Sequence, residues 1–130
     1  HYDDGRNMVA MITGAKRYIL APPNQCHKLG IVTDDRHPVY RHLLLNFGHI
    51  NLLKSESQAE KAMPSRERKW QEKAGNSLAI ETVLKQGEVL YIPSYWFHYI
   101  IGLQKNAQCN TRSGRSPKTD VIHFFGGYES

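Results

Sequence analysis

The chain has 130 residues, of which 40% are hydrophobic and 22% charged, so its length and composition predict one globular domain with a single core. The formal net charge is +5, from 17 lysines and arginines against 12 aspartates and glutamates, and the basic residues are scattered along the chain. That scatter argues against nucleic-acid binding, and the lack of an apolar run of about 20 residues argues against a membrane span in this segment.

Two predicted strands come first in the chain. Residues 7–12 form a short apolar run, and residues 16–21 end at two consecutive prolines. We expect the two strands to pair as a hairpin around Gly14, which places Met11 opposite Tyr18. Because side chains alternate along a strand, six residues then share one face: Asn7, Val9, Met11, Lys16, Tyr18 and Leu20.

The middle of the chain is polar and irregular. Residues 24–39 predict a loop, and residues 42–51 predict another strand around a cluster of leucines. Residues 54–76 are rich in Glu, Lys, Gln and Ala, which predicts a solvated insertion. A proline near its start and a glycine near its end predict one short helix over residues 65–74.

Strand signals return in the last third of the chain. Turn residues separate several short apolar segments there. Two of these segments, residues 96–103 and 107–111, are expected to form a second hairpin that turns near Asn106. Many short strands with turns between them are typical of an all-β barrel or sandwich, so the predicted fold class is mainly β. The predicted strands are 78–84, 88–92, 96–103, 107–111 and 121–125.

The first three residues hold the most specific chemical signal. On an extended chain His1 and Asp3 point to the same side, so one imidazole and one carboxylate can grip a single metal ion. The candidate third ligand is His98, which follows a strand, a proline and three aromatic residues. Two histidines and one carboxylate form the facial triad of non-haem Fe(II) oxygenases. A histidine among aromatics also fits a packed core residue, and that alternative stays open for His98.

Taken together, these motifs resemble the JmjC/cupin-like family of Fe(II)- and 2-oxoglutarate-dependent oxygenases, in particular the small hydroxylase branch that includes the asparaginyl hydroxylase of hypoxia-inducible factor. The stretches that carry the likeness are HYDDGRNMVAMITGAKRYILAPP, GEVLYIPSYWFHYI and QCNTRSG. Glu88 stands where the family usually has Asp, and residues 24–84 match poorly. The resemblance implies a double-stranded β-helix (cupin/jelly-roll) over residues 1–130, incomplete at its N-terminal end, with the insertion at 54–76 inside it.

The resemblance also implies a role for each residue of the site. His1, Asp3 and His98 would ligate Fe(II), and Lys16 would pair with the distal carboxylate of 2-oxoglutarate. Asn7 and Asn110 match the asparagines that line the metal end of the co-substrate pocket, although either amide can equally serve a turn or the core. Tyr18 would contact the co-substrate or merely pack. No catalytic residue beyond the metal ligands is implied.

The expected function is oxygenation of a C–H bond, with hydroxylation of a protein side chain ranked above demethylation of methyl-lysine. The alternative is a catalytically silent cupin-like subunit of a larger protein assembly. A cupin isomerase or a sugar-binding cupin is disfavoured by Lys16 and by the His-x-Asp pair. The chain does not begin with methionine, so we expect it to start inside a longer protein. Cys26 and Cys109 lack CxxC spacing, which favours free thiols in a reducing intracellular compartment, with one disulfide between them as the alternative.

Overall fold

A computed structural model describes residues 1–32, 34–38, 40–43 and 72–114. The chain divides into two compact units, one made of residues 1–24 and 78–130 and the other of residues 25–77. The first unit carries six strands and the predicted site. The strands are β1 (Arg6–Thr13), β2 (Ala15–Ala21), β3 (Ile80–Lys85), β4 (Val89–Ile92), β5 (Phe97–Gly102) and β6 (Ala107–Ser113).

The six strands form two antiparallel three-stranded sheets, with strand orders β4-β1-β6 and β3-β2-β5. Antiparallel strands that alternate between two sheets are the pattern of a jelly roll. Together with the small amount of helix, this arrangement confirms the predicted mainly β, cupin/jelly-roll fold class. Among the described residues, no helix combines the length and the apolar character needed to cross a membrane.

Both predicted hairpins are wrong, because the strands in each belong to different sheets. β1 pairs with β4 and β6, and Val9 lies opposite Leu90 on one side and Asn110 on the other. β2 pairs with β3 and β5 instead of β1, so Met11 does not lie opposite Tyr18 in a ladder. The reason is burial: a hairpin would place both apolar faces on one side of a single sheet, whereas two sheets can cover each other.

The face predicted to be buried is confirmed for each strand separately, because alternation along a strand does not depend on the pairing, but the two sets of residues lie on the inner faces of two sheets and not on one face of a hairpin. Tyr18 and Val9 are 0% and 1% exposed, and Asn7, Met11 and Leu20 are also buried. Lys16 is half-buried on the same side of β2. The core between the two sheets draws on both of them and consists of Val9, Met11, Ile92, Tyr18, Leu20 and Leu84, with Leu90 and Trp96 packed against it.

Gly14 forms the corner at which the chain leaves one sheet for the other. Its φ is +80°, a left-handed conformation that favours glycine. A Cβ at this position would overlap the carbonyl oxygen of Lys105 and lie 2.8 Å from the Cα of Asn106. The β1–β2 corner therefore packs directly against the β5–β6 corner, backbone to backbone.

The second unit contains a short helix where the sequence predicts a loop. The predicted loop over 24–39 contains a 3-10 turn at Pro23–Gln25 and a short helix, α1 (Cys26–Leu29), which ends at Gly30 with φ 62°. Four residues are too few to show a helical repeat in the sequence. Residues 72–75 are helical, but most of the predicted helix over 65–74 lies outside the described residues. So do residues 44–51 of the predicted strand and all of residues 121–125.

Candidate metal centre

The first three residues lie antiparallel to the start of β5. Tyr2 forms a β-bridge with Phe97, the backbone N–H of Tyr95 donates to the carbonyl of Asp3 at 2.8 Å, and the N–H of His98 donates to the carbonyl of His1 at 2.8 Å. The Tyr2 ring is buried and meets the Phe97 ring edge-on, with 5.5 Å between ring centroids. Because side chains alternate, burying Tyr2 on one side turns His1 and Asp3 to the other.

This pairing brings the three predicted ligands together. The Nε2 atoms of His1 and His98 are 3.0 Å apart, and the His98 Nε2 lies 3.8 Å from Oδ2 of Asp3. One ligand atom from each residue lies within 4.8 Å of the other two. In an octahedral site, two imidazole nitrogens each bind the ion at about 2.1 Å, and their bonds to the ion meet at a right angle. The two nitrogens are then about 3.0 Å apart, which is the distance between the Nε2 atoms of His1 and His98, so the residues fit a first-row metal. That a metal binds here stays a prediction.

The turn before His98 has an unusual backbone. Tyr95 has φ +63°, although it is not a glycine, and it is 1% exposed. Its ring packs against that of Tyr2 at 6.1 Å between centroids, and its N–H holds the carbonyl of Asp3. A bulky residue in this conformation costs about 1–3 kcal/mol and persists only where the surroundings over-determine it. In this turn, the hydrogen bond from the Tyr95 N–H to the Asp3 carbonyl and the packing of the Tyr95 ring against Tyr2 support this backbone conformation.

Arg112 is a member of the site that the sequence analysis missed. Its Nη2 lies 3.3 Å from Oδ2 of Asp3, whose side chain is only 16% exposed. The Arg112 side chain is itself 64% exposed, so this ion pair joins the site to its solvent-facing edge. Alternation along β6 places Arg112 on the same face as Gln108 and Asn110, but it does not say which face points toward the site, so the sequence alone does not mark Arg112.

The burial of His98 affects its protonation. Desolvation by burial is the main cause that lowers the pKa of the His98 imidazole below its ordinary value of 6.5, and the positive charges of the His1 amino group and, least, of Arg112 act in the same direction. The carbonyl of Trp96, 3.2 Å from Nδ1, and the Asp3 carboxylate act in the opposite direction without cancelling the effect. Because metals bind the neutral imidazole, the lowered pKa favours the ligating form at neutral pH.

We expect acid to weaken the fold through this residue. The pKa of His98 is lower in the folded chain than in the unfolded one, so the unfolded chain binds more protons as the pH falls below about 6.5. The stabilising contribution is therefore complete above pH 6.5 and is lost as the pH falls through the folded-state pKa. Urea unfolding of the metal-free chain between pH 7.5 and 5 should show a fall in unfolding free energy that is shallower in His98→Gln. The exposed His27 supplies the control His27→Gln, and parallel slopes in all three proteins would contradict this account.

Three of the residues predicted to line the co-substrate pocket, Tyr18, Asn110 and Asn7, are joined through Gln108 by a series of hydrogen bonds that starts in the core and passes along β6, where Gln108 is half-buried and Asn110 is exposed. The Tyr18 hydroxyl donates to Oε1 of Gln108 at 3.0 Å, crossing from one sheet to the other. Nε2 of Gln108 donates to Oδ1 of Asn110 at 2.7 Å, and Nδ2 of Asn110 donates to Oδ1 of Asn7 at 3.3 Å. Burial raises the pKa of Tyr18, so its phenol stays protonated and able to donate. Gln108 was not anticipated from the sequence.

Lys16 lies on the same face of β2 as Tyr18 and Leu20. Its cross-strand partners are Leu84 and Gly102, whereas Leu20 lies opposite His98. Four residues along a strand span about 13 Å, so Lys16 and the metal triad lie at opposite ends of the inner face of β2. Among the described residues, none forms a hydrogen bond or ion pair with the Lys16 ammonium.

The chain is similar to known proteins over most of its length. A family model described as a cupin-like domain matches residues 1–112. In Arabidopsis thaliana, the lysine-specific demethylase JMJ32 is 27% identical over 113 residues, which cover 77% of this chain and 32% of that protein. The arginine-specific demethylase JMJ22 is 28% identical over 122 residues (88% of this chain, 20% of that protein). The lysine-specific demethylase JMJ30 is 28% identical over 104 residues (79% and 20%).

The chain thus spans between a fifth and a third of the length of these relatives. The matched region contains all three residues of the triad and the whole of both sheets up to Arg112. The family match and the jelly-roll arrangement of the sheets agree with the resemblance found in the sequence. The chain therefore belongs to the cupin-like family of JmjC domains, whose members include Fe(II)- and 2-oxoglutarate-dependent oxygenases.

Proposed function

We propose that this chain is the oxygenase domain of an Fe(II)- and 2-oxoglutarate-dependent enzyme that oxidises a C–H bond on a protein side chain. The observation that carries the proposal is the convergence of two imidazoles and one carboxylate, from His1, His98 and Asp3, on one point of the inner wall. Three ligands on one side of a metal leave positions open for a co-substrate and for oxygen. The arrangement therefore suits oxygen activation better than a closed structural site, which surrounds its metal with four protein ligands.

Each residue of the site has a role in this proposal. His1, Asp3 and His98 hold the iron, which together with 2-oxoglutarate supplies the oxidising power for the reaction. Lys16 binds the distal carboxylate of the co-substrate from the far end of β2. Asn7 and Asn110 bind the co-substrate at the metal end of the pocket. Tyr18 and the apolar core around it exclude water from the space between the two ends.

The position of Lys16 supports its part. The half-buried Lys16 ammonium has no hydrogen-bond or ion-pair partner among the described residues, so its donors are available to an incoming carboxylate. Its distance from the triad leaves room for a short dicarboxylate lying along the strand. Tyr18, which the sequence left as either a contact or a packing residue, is fully buried and forms the wall between the two ends.

Two products are chemically possible, and they differ in the C–H bond that is attacked. Hydroxylation of an ordinary side-chain carbon retains one oxygen atom in the product. Hydroxylation of an N-methyl carbon gives an unstable hemiaminal that breaks down to formaldehyde and the free amine. The sequence motifs favour the first product, whereas relatives named as lysine- and arginine-specific demethylases favour the second. We propose hydroxylation of a protein side chain, with demethylation as the second candidate.

The proposal is tested by following both halves of the reaction. The full-length protein is incubated with Fe(II), ascorbate, 2-oxoglutarate and two peptide pools, one unmodified and one carrying methylated lysine and arginine. Succinate reports turnover, a mass gain of one oxygen reports hydroxylation, and formaldehyde reports demethylation. Succinate at the level of a metal-free control with every pool would reject the enzyme and support the alternative, a silent subunit of a larger assembly.

We expect Lys16→Ala to raise the KM for 2-oxoglutarate about 10–100-fold, because it removes a charge-assisted interaction with the distal carboxylate. Arg17→Ala is the matched control. It removes one positive charge from the next position of β2, where the side chain pairs with Glu81 at 2.7 Å on the opposite face. If the two variants have the same KM, Lys16 does not bind the co-substrate.

A further inference from the structure

The hydrogen-bonded chain between the two sheets has a direction. Tyr18 donates to Gln108, Gln108 donates to Asn110, and Asn110 donates to Asn7. In Gln108 and Asn110 the amide oxygen accepts one hydrogen bond and the nitrogen donates the next, and the oxygen of Asn7 accepts the last. The donors and acceptors thus run in one order from the fully buried Tyr18 hydroxyl, through the half-buried Gln108 and the exposed Asn110, to the buried Asn7.

The last amide is connected to the metal triad through its cross-strand partner. Asn7 is 5% exposed and sits directly across the strand pair from Arg112, the residue that contacts Asp3. Opposed residues of an antiparallel pair have their side chains on the same face, about 5 Å apart at Cβ. Because the oxygen of Asn7 is used by Asn110, its remaining hydrogen-bonding group is the N–H pair, which can donate to a carboxylate.

We propose that Gln108 is a positioning residue that, through Asn110, turns the amide of Asn7 so that it presents N–H donors to an anionic co-substrate. The proposal deepens the proposed function and rests on it. The hydrogen bonds of Gln108 are with Tyr18 and Asn110 and not with a metal ligand. Its effect on the co-substrate is indirect, because the orientation of its amide determines the orientation of the Asn110 amide, which in turn determines that of Asn7.

This mechanism makes a distinctive prediction for Gln108→Glu. An ionised carboxylate has the shape of the glutamine amide but can only accept. It still accepts from Tyr18, but it can no longer donate to Asn110. Asn110 must then turn to donate to the carboxylate, which leaves its oxygen facing Asn7. Asn7 turns in response and presents its oxygen, a hydrogen-bond acceptor, to the co-substrate.

The experiment measures co-substrate and metal affinity separately in the full-length protein. Binding of 2-oxoglutarate is titrated without oxygen in the presence of Mn(II), and Mn(II) affinity is measured alone from the signal of the free ion in electron paramagnetic resonance. We expect Gln108→Glu to weaken 2-oxoglutarate binding about tenfold, the value of one lost hydrogen bond and one new repulsion. Mn(II) affinity should change by less than about twofold, since no ligand is altered.

Thr111→Glu is the matched control because it adds the same charge to β6 on the opposite face, where Thr111 pairs with Met8. It should leave both affinities unchanged. Tyr18→Phe keeps the ring but loses the first donor of the chain, and it should weaken 2-oxoglutarate binding about threefold. This second variant keeps the proposal testable if Gln108→Glu does not fold.

The outcomes distinguish a failure of the proposed function from a failure of the positioning role of Gln108. If the unaltered protein binds neither Mn(II) nor 2-oxoglutarate, the proposed function fails. If it binds both, and Gln108→Glu and Tyr18→Phe bind 2-oxoglutarate as tightly as it does, the positioning role of Gln108 is rejected while the proposed function stands. If Gln108→Glu loses Mn(II) and 2-oxoglutarate affinity in parallel, Gln108 is a structural residue and the proposal is also rejected.

Discussion

Replacing His98 with alanine should lower the affinity for Mn(II) or Fe(II) by more than about 100-fold, because it removes one of three protein ligands. Loss of a residue that only supports a ligand costs about 10–100-fold in metal affinity, so loss of a ligand itself should cost more. Of the two remaining ligands, Asp3 would keep its contact with Arg112. Mn(II) titration followed by electron paramagnetic resonance measures the change directly, and succinate release should fall to background.

His27→Ala serves as the control, because it removes an exposed histidine that is not part of the triad. Folding of both variants is checked by circular dichroism, since His98 is 7% exposed and its loss also leaves a cavity. A folded His98→Ala protein that binds Mn(II) as tightly as the original would show that His98 is a packed core residue, which is the alternative the sequence leaves open.

Gly14→Ala should be among the most destabilising single substitutions in the first unit. Its backbone is left-handed, which costs a residue with a Cβ about 1–2 kcal/mol. The added methyl would also overlap the backbone of Lys105 and Asn106, which cannot turn away as a flexible side chain could. Overpacking of this kind costs about 1–3 kcal/mol, so we expect a total loss of about 2–5 kcal/mol in the free energy of unfolding. Urea unfolding measures it.

Gly87→Ala separates the two causes. Gly87 has φ +84°, nearly the same as Gly14, but among the described residues, its two chain neighbours aside, no atom lies within 4 Å of the position of its added Cβ. It should therefore lose only the conformational part, about 1–2 kcal/mol. Equal losses in the two variants would mean that the contact between the two corners contributes nothing.

Local patterns in the sequence were informative where a local rule decides the structure. The buried face of β1 and β2 follows from alternation alone, and the burial of Val9 and Tyr18 agrees with it. The partners of those strands do not follow from it, because they depend on which surface covers the apolar face. That is why the hairpin at Gly14 was expected and a corner between two sheets was found.

The same limit applies to the site. His1, Asp3 and His98 could be proposed from residue type and spacing, and the structure places them within reach of one ion. Gln108 and Arg112 could not, since a glutamine and an arginine on a strand of alternating polarity look like residues that face solvent. Only the pairing of β6 with β1 brings them toward Asn7 and Asp3.

The pairing of residues 1–3 with residues 95–98 also has a consequence for how the domain folds. The two histidines that meet there are 97 positions apart, and β1 reaches across a comparable separation to pair with β6. Contacts between segments so distant in the chain form slowly, because much chain entropy is lost before they can stabilise anything. The ligands therefore come together only with the closure of the whole first unit. A bound ion would slow the reverse step, reopening, and so lengthen the lifetime of the folded state.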